Sequence, residues 1–201
     1  MKKLRRILLC LLAASLAVGW YLGYRAVNKW YEPLIRPDIT VTYDMGEIVP
    51  IGPEPNVLHP DELDGYCYRV NSSQIVDTVA YLTENSLEDP WGGDWSIKPE
   101  KLLLVSVTVI NDGNLKNDFN LFTLGVKGAM ENADLANAIN PELKGNTLSL
   151  ALGEEATVTI PFELKKLTFS FRSWRRIEEY PFYLFCNTRN EDREDRIVPL
   201  T

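Results

Sequence analysis

Hydrophobic and polar residues alternate most regularly in residues 101–114, KLLLVSVTVINDGN. From residue 103 onward one set of alternate positions is wholly apolar: Leu103, Val105, Val107 and Val109. The other set is mixed: Leu104, Ser106, Thr108 and Ile110. A period of two with many β-branched residues predicts a strand, and the closing Asn-Asp-Gly-Asn run predicts a turn. We therefore expect a central strand of an antiparallel sheet with one face in the core.

Shorter alternating runs on both sides of this stretch predict further strands. They are residues 39–43, 65–76, 119–127, 147–152, 156–164, 181–187 and 196–201. Residues 119–127 would be the hairpin partner of the central strand, and residues 78–85 fit either a short helical turn capped by Asp77 or a strand. Seven to eight short strands, with no long amphipathic helix in the body, predict an all-β fold. An immunoglobulin-like antiparallel β-sandwich is the expected architecture, and an open barrel is the alternative.

The N-terminal segment has a different pattern, because residues 7–24 are 18 residues without a charge. As a helix they would extend about 27 Å, close to the hydrocarbon thickness of a bilayer. Four cations lie within residues 1–6, and aromatic residues lie near the other end of the segment. We therefore expect a cytoplasmic basic tip at residues 1–6, a transmembrane signal-anchor at residues 7–24, a linker at residues 25–38 and an extracytoplasmic domain at residues 39–201.

Two alternatives to the anchor stay open. Ser15-Leu16-Ala17 has the small residues of a signal-peptide cleavage site, so the segment could be removed after export. A buried helix of a cytosolic protein is the other alternative. The apolar run continues beyond this site to Leu22, which is further than a signal peptide requires. The sequence therefore favours a single-pass protein of the cell membrane.

The charges are unevenly distributed along a chain whose net charge is -7. Residues 37–201 contain 14 Lys and Arg against 27 Asp and Glu, a net charge of -13. Binding to nucleic acid requires a basic surface that neutralises phosphates, so an acidic body argues against such a partner. It likewise argues against a body that lies flat on an anionic membrane.

Several elements, taken in order, resemble a known family. They are YDMGE at residues 43–47, GYCYRV at residues 65–70, LLLVSVTVINDGN at residues 102–114, GEEATVTIPFEL at residues 153–164 and a Tyr-Pro strand near the end. They are similar to an uncharacterised telokin-like family of immunoglobulin-fold domains, found in membrane-anchored and lipid-anchored proteins of Gram-positive bacteria. The resemblance covers residues 40–201 and implies a fold and a location, without catalytic residues.

Cys67 and Cys186 lie on two predicted strands of a body that we expect outside the membrane. Exported domains use disulfides, and a sandwich can join an early and a late strand in this way. Two separate buried thiols fit equally well, because cysteine also behaves as a small apolar residue. The pair is therefore a possible disulfide.

Residue types that support catalysis or metal binding are sparse. His59 is the sole histidine and lies in a proline-rich loop, which disfavours a catalytic triad and a transition-metal site. Acidic residues group in three predicted loops, Asp61-Glu62-Asp64, Glu88-Asp89 with Asp94, and Glu191-Asp192 with Glu194-Asp195. Paired carboxylates can hydrolyse glycosides or hold calcium, but these groups lack EF-hand spacing and fit solvated loops. We therefore predict a protein that is not an enzyme and has no cofactor or metal.

The loop NSLEDPWGGDWSIKPE before the central strand is one candidate surface for a partner or ligand. Its residues Trp91, Asp94 and Trp95 could form a platform for sugar rings or a partner protein. The alternative is that one or both tryptophans tuck under the edge of the sheet.

A basic group in the predicted crossover at residues 165–179 is the second candidate surface. Trp174 stands there among three cations, Arg172, Arg175 and Arg176. They could pair with an acidic partner or an anionic wall polymer. The alternative is cation–π packing together with neutralisation of Glu178 and Glu179.

These features predict a membrane-anchored, extracytoplasmic binding or interaction module. Its partner would be another envelope protein or a cell-wall component, bound by loops on a rigid sandwich. Two other functions stay open: an accessory subunit of a membrane complex such as an exporter, and a hydrolase that uses carboxylates of the acidic loops.

Overall fold

The computed structural model describes residues 15–25, 39–52, 63–92, 98–128, 132–135, 146–186 and 194–200. The chain contains two compact units, Met1–Asp38 and Ile39–Thr201. In the first unit the described residues, 15–25, form a helix (α1) with exposed side chains. No helix among the described residues combines the length and the apolar character that crossing a bilayer requires. Residues 7–14 of the expected span lie outside the described part of the chain.

The described residues of the second unit form eleven strands. They are β1 Ile39–Thr42, β2 Val49–Pro50, β3 Tyr66–Asp77, β4 Lys101–Asn111, β5 Asp118–Asn120, β6 Leu124–Gly128, β7 Asn132–Leu135, β8 Thr147–Ser149, β9 Glu155–Leu164, β10 Phe182–Cys186 and β11 Glu194–Pro199. The same residues include two short helices, α2 Thr78–Glu84 and α3 Phe171–Arg175. The prediction of an all-β fold is confirmed.

The strands form two layers that are joined along one side. The first sheet has the order β1-β11-β10-β6 and the second sheet the order β9-β4-β3-β2, while β7 pairs with both β6 and β9. The described ladders of these sheets are antiparallel, except that β1 runs parallel to β11. A separate two-stranded sheet contains β5 and β8. Together the two layers form a β-sandwich around one core.

The core lies between the two sheets and follows the alternation of the sequence. On β4 the predicted face is buried throughout, at Leu103, Val105, Val107 and Val109. These side chains belong to one cluster with Tyr68 of β3, Ile160 of β9 and Leu184 of β10. Burial of each such aliphatic side chain stabilises the fold by roughly 1.5–3 kcal/mol. The prediction of a core-facing central strand is confirmed.

The neighbours of the central strand differ from the expected ones. β4 pairs with β3 on one side and β9 on the other. The prediction that residues 119–127 are its hairpin partner is wrong, because they divide into β5, which pairs with β8, and β6, which pairs with β10. A 3-10 turn at Leu121–Thr123 separates the two halves. The side chain of Asn120 caps this turn by accepting a hydrogen bond from the Phe122 N–H at 3.0 Å.

The segment after β3 is helical rather than extended. Asp77 caps α2, because its Oδ1 accepts hydrogen bonds from the N–H groups of Val79 at 2.9 Å and Ala80 at 3.0 Å. An aspartate at this position satisfies donors that the first helical turn leaves without partners. Leu82 then packs against Leu102 and Leu104 on the outer face of the second sheet. α2 therefore covers one end of that face.

The turn after β4 is held by the buried side chain of Asn111. Its Nδ2 donates to the carbonyl oxygens of Asn114 and Leu150, both at 2.9 Å. Its Oδ1 accepts from the N–H of Asn114 at 2.7 Å and that of Gly113 at 3.3 Å. Asn114 in turn donates through Nδ2 to the carbonyl oxygen of Asp64 at 2.7 Å. Two buried amides therefore join three separate segments of the chain.

Glycine is required where this turn lies against the chain just before β3. Gly65 has a φ of +83°, and a Cβ there would lie 2.5 Å from the carbonyl carbon of Gly113. The N–H of Asp112 donates to the carbonyl oxygen of Gly65 at 2.8 Å. There is therefore no room for a side chain on residue 65, and the positive φ itself favours glycine there.

We expect Asn111→Asp to lower the free energy of unfolding by about 2–4 kcal/mol. The carboxylate has the shape of the amide, but it lacks both donors and would face the carbonyl oxygens of Asn114 and Leu150. Thermal unfolding followed by circular dichroism measures the fall in Tm. Asn120→Asp is the matched control, because the capping bond needs only a side-chain acceptor. Equal Tm values for the two variants would contradict the role given to Asn111.

Two buried tyrosines couple the stability of the fold to alkaline pH. Tyr66 and Tyr68 are at most 1% exposed, and their hydroxyls have no hydrogen-bond partner among the described residues. Burial raises the pKa of both phenols above the ordinary value near 10, and the rise is large for Tyr68. As the pH rises through about 10, the unfolded chain releases tyrosine protons that the folded chain retains. The stability that the two protonated phenols allow below this pH is therefore lost as the pH rises above it.

We expect Tyr68→Phe to preserve or raise the stability at neutral pH, because it removes a hydroxyl without a partner from the core. The variant should also lose less stability than the wild type between about pH 9 and pH 11. Denaturant unfolding across this range gives both quantities. Tyr183→Phe, at a half-exposed position of β10, should retain the pH dependence of the wild type. An unaltered alkaline slope in Tyr68→Phe would refute the coupling.

Candidate functional site

An open cleft lies on the outer face of the second sheet, beside α2. Its volume is about 710 Å³. The residues around it come from β3, α2 and the turn after it, β4 and β9, and they are Gln74, Val76, Asp77, Ala80, Tyr81, Glu84, Asn85, Leu87, Leu104 and Thr159. Amide, hydroxyl, carboxylate and apolar groups therefore meet at one concave surface.

The apolar side of the cleft rests on a small second core. Leu82, Leu102 and Leu104 are buried there, and four half-buried residues pack against them: Val76, Tyr81, Leu87 and Trp91. Leu102 and Leu104 alternate along β4 with the residues of the main core, so they point to the opposite side of the sheet. This cluster holds α2 in position beside the cleft.

Trp91 belongs to this second core and forms no free-standing platform. Its indole Nε1 donates to Glu163 Oε1 at 3.2 Å, and its backbone N–H donates to Asp89 Oδ1 at 2.9 Å. Asp89 forms an ion pair with Lys98 at 2.8 Å across the loop. The other two residues predicted for this surface, Asp94 and Trp95, lie outside the described residues.

A row of polar groups extends along the outer face away from α2. Asn71 Nδ2 donates to Thr108 Oγ1 at 2.9 Å, and the hydroxyls of Thr108 and Thr157 lie 2.8 Å apart. One step nearer the cleft, Ser106 of β4 lies opposite Thr159 of β9. The polar row therefore reaches the cleft at Thr159.

The predicted basic group lies on the crossover between β9 and β10. Its exposed members are Arg172, Arg175 and Arg176. Trp174 is half-buried and packs on the core, with its ring centre 5.8 Å from that of Phe169. Arg176 Nε donates to Glu179 Oε2 at 2.8 Å, as the alternative of charge neutralisation predicts. The crossover therefore turns its cations outward and its tryptophan inward.

The structure forms no disulfide between Cys67 and Cys186. Cys67 lies between the core-facing residues Tyr66 and Tyr68, so it points to the outer face of the second sheet. Cys186 ends β10 in the first sheet and packs against the core. The possible disulfide is therefore absent because the side chains leave different sheets in different directions. Burial raises the pKa of the Cys67 thiol, which keeps it protonated.

Some of the acidic residues that the structure describes form ion pairs, among them Glu163, Glu178 and Asp195. Glu178 accepts a hydrogen bond from Lys101 at 2.8 Å, which lowers the pKa of its carboxyl. Lys165 pairs with Glu163 at 2.6 Å. No group of three or more His, Cys, Asp or Glu side chains in the described part of the chain could hold a metal ion. Several predicted loop residues lie outside that part: His59, Asp61, Glu62, Asp94, Glu191 and Asp192.

A second open cleft, of about 700 Å³, lies between the end of β3 and the start of β10. Ile75, Leu103 and Leu200 form its apolar side. Glu178 and Glu179 lie at its margin, and both form ion pairs with basic side chains. Its two carboxylates are therefore held in ion pairs. The cleft beside α2 offers the amide groups of Gln74 and Asn85 together with the aromatic side chain of Tyr81, and on this ground it is the stronger candidate.

The residues of this stronger cleft are not apparent from the sequence. Gln74, Tyr81, Asn85 and Thr159 belong to three separate segments and match no motif. The one local signal is Asp77, because a capping residue at the end of a strand marks the start of α2. That signal predicts the helix, but not the sheet surface beside which it packs.

A β-sandwich domain with an open cleft beside a short helix is the class of protein that these features define. The chain belongs to the family described as Domain of unknown function (DUF5028), whose model matches residues 40–188. The expected membership of an uncharacterised domain family is confirmed. The crystal structure of the yjhA protein from Bacillus subtilis is similar, at 13% sequence identity and a TM-score of 0.40, over 79% of this chain and 99% of that chain. No curated protein matches the chain.

We expect Trp91→Ala to lower the free energy of unfolding by about 1–3 kcal/mol, because it removes a half-buried indole from the second core. Thermal unfolding measures the loss. Leu115→Ala is the control, since Leu115 is 86% exposed and its removal leaves no cavity. A Tm for Trp91→Ala equal to that of the control would show that the tryptophan does not support the loop.

Proposed function

We propose that this chain is a membrane-anchored, extracytoplasmic binding module without enzymatic activity, and that the cleft beside α2 is its ligand site. The observation that carries the proposal is a cleft of about 710 Å³ that is lined by both hydrogen-bonding and apolar groups. Ligand pockets of proteins typically have volumes of about 300–1,000 Å³ and this mixture of groups.

The ligand class that fits this surface is an uncharged, hydroxyl-rich segment of a cell-wall glycan. Gln74, Asn85 and Thr159 supply amide and hydroxyl groups of the kind that bind sugar hydroxyls. Tyr81 is half-buried beside them and offers an aromatic surface to a sugar ring. Glu84 adds a carboxylate, which disfavours a polyanionic ligand.

We further propose that the sandwich is an immunoglobulin-like domain of the telokin-like kind found in Gram-positive bacteria, tethered by a single span at residues 7–24. The uncharged run of 18 residues and the four cations before it support this tether. The N-terminus would lie in the cytoplasm and the body outside, within reach of the cell wall. A glycan of the cell wall would then be within reach of the cleft.

Titration of the full-length chain in detergent with a soluble, neutral oligosaccharide of N-acetylated sugars tests the ligand site. Ala80 is exposed, lines the cleft and lies on α2, so Ala80→Trp fills the cleft without altering the core. We expect this variant to bind at least about tenfold more weakly than the wild type in calorimetry or NMR titration.

Val79→Trp is the matched control for this experiment. Val79 lies on the same helix and is 48% exposed, but it does not line the cleft. We expect its affinity to stay within about twofold of the wild type. Absence of binding to the wild type, or equal weakening by both substitutions, would refute the cleft as a glycan site.

A further inference from the structure

The crossover between β9 and β10 carries a concentration of positive charge that the rest of the body lacks. Residues 165–176, KKLTFSFRSWRR, contain five cations and no acid. They belong to a body, residues 37–201, whose net charge is -13. Exposed charges act over a Debye length of about 8 Å at physiological ionic strength. The electrostatic potential at a local basic surface is therefore positive even on a domain whose net charge is negative.

Two large apolar side chains project from the same crossover into solvent. Leu167 is 92% exposed and Phe171 is 74% exposed. Phe169 lies between them in the chain, but it is only 7% exposed and packs on the core. Single exposed apolar residues are ordinary on protein surfaces, but two of them beside a group of cations are the combination found in segments that bind membrane interfaces.

The outward direction of these side chains is held by ordered structure. The Phe169 ring centre lies 5.8 Å from that of Tyr180 and 6.1 Å from that of Phe182, which fixes the crossover to the core. Thr168 Oγ1 donates to the carbonyl oxygen of Lys165 at 2.7 Å, and Ser170 Oγ accepts from the Ser173 N–H at 3.1 Å to cap α3. These contacts therefore hold the backbone that carries Leu167 and Phe171 in place at the surface of the domain.

Acids near the crossover are neutralised by some of the available cations. Glu163 pairs with Lys165 at 2.6 Å, and Arg176 Nε donates to Glu179 at 2.8 Å. Three cations form no ion pair with the described residues: Lys166, Arg172 and Arg175. The guanidinium of Arg175 lies 5.8 Å from the ring centre of Phe171, so apolar and cationic groups are side by side.

We infer that this crossover is a contact surface for an anionic lipid bilayer. Leu167 and Phe171 enter the interface, while Lys166, Arg172 and Arg175 lie at the level of the lipid phosphates. This arrangement is the one that interfacial segments use, with an apolar side in the acyl boundary and Lys or Arg beside the headgroups. The inference concerns a different surface from the glycan cleft and does not require that the cleft binds a ligand.

The exposed apolar pair favours a bilayer over a soluble polyanion. A polyanion such as a wall polymer needs only the cations, and it would leave Leu167 and Phe171 in water. A bilayer removes both side chains from water and at the same time supplies anionic groups. The two partners therefore differ in whether the apolar residues contribute to binding.

Hydrogen–deuterium exchange of the full-length chain tests the contact at the level of single peptides. The chain is mixed with nanodiscs of phosphatidylcholine alone, or with nanodiscs in which about a third of the lipid is phosphatidylglycerol. We expect the amides of residues 166–176 to exchange at least about fivefold more slowly with the anionic nanodiscs. Because exchange is measured peptide by peptide, insertion of an anchor at residues 7–24 would not by itself protect residues 166–176. The result is also independent of whether the cleft beside α2 binds a glycan.

Two double variants and one control separate the contributions. Lys166→Glu with Arg172→Glu should abolish the protection, and Leu167→Ser with Phe171→Ser should reduce it at least about fivefold. Leu115→Ser, which removes an exposed leucine elsewhere, should retain it. Equal exchange with both kinds of nanodisc would overturn the inference. Protection that survives loss of the apolar pair, or that a soluble glycerol-phosphate polymer reproduces, would overturn it in favour of a polyanion.

Discussion

The buried side chain of Asn111 is the interaction on which the sandwich depends. Asn111 ends β4, and its side chain holds the carbonyl oxygen of Leu150, directly after β8. Its backbone also bonds to Gly153 and Glu154 just before β9, while Asn114 holds Asp64 just before β3. β3 and β9 are the two neighbours of β4 in the second sheet. One polar cluster therefore fixes the ends of three adjacent strands, and a strand whose end is fixed cannot slip in register. The close approach of this turn to the chain before β3 is possible only because residue 65 is a glycine.

The two faces of β4 explain why the domain has a cleft beside α2. One face lies entirely in the main core. The other face begins with Leu102 and Leu104 in the second core and continues with Ser106 and Thr108, which belong to the polar row. The cleft lies at the boundary between these two parts. Its mixed chemistry therefore follows from where the helix ceases to cover the sheet.

The domain carries two surfaces of different chemistry, and each would select a different partner. The cleft combines uncharged hydrogen-bonding groups with Asp77 and Glu84, so it suits a neutral ligand. The crossover between β9 and β10 combines exposed apolar groups with three cations, Lys166, Arg172 and Arg175, that form no ion pair among the described residues, which fits the proposed contact with an anionic bilayer. The net charge of the chain does not predict the charge of either surface. Screening by salt limits electrostatic interactions to nearby groups, so each surface interacts through its own side chains. The net charge of the body argues against a flat contact with an anionic membrane, whereas the proposed contact depends only on the local charge of the basic crossover.

The sequence by itself indicated the long strands and the buried face of β4, because alternation is a local property of the chain. It also marked Asp77 as a helix cap, although a strand after Asp77 stayed open. Only the tertiary structure decided which strands pair. Residues 119–127 alternate as a hairpin partner would, yet they are divided between two sheets. The sequence likewise left two positions open for Trp91, a surface platform or a place under the edge of the sheet, and the tertiary structure decided between them by placing Glu163 and the second core beside it. Strand pairing and the formation of clefts depend on residues that are far apart in the chain. A pattern of period two identifies a strand, but it carries no information about which distant strand will pair with that strand.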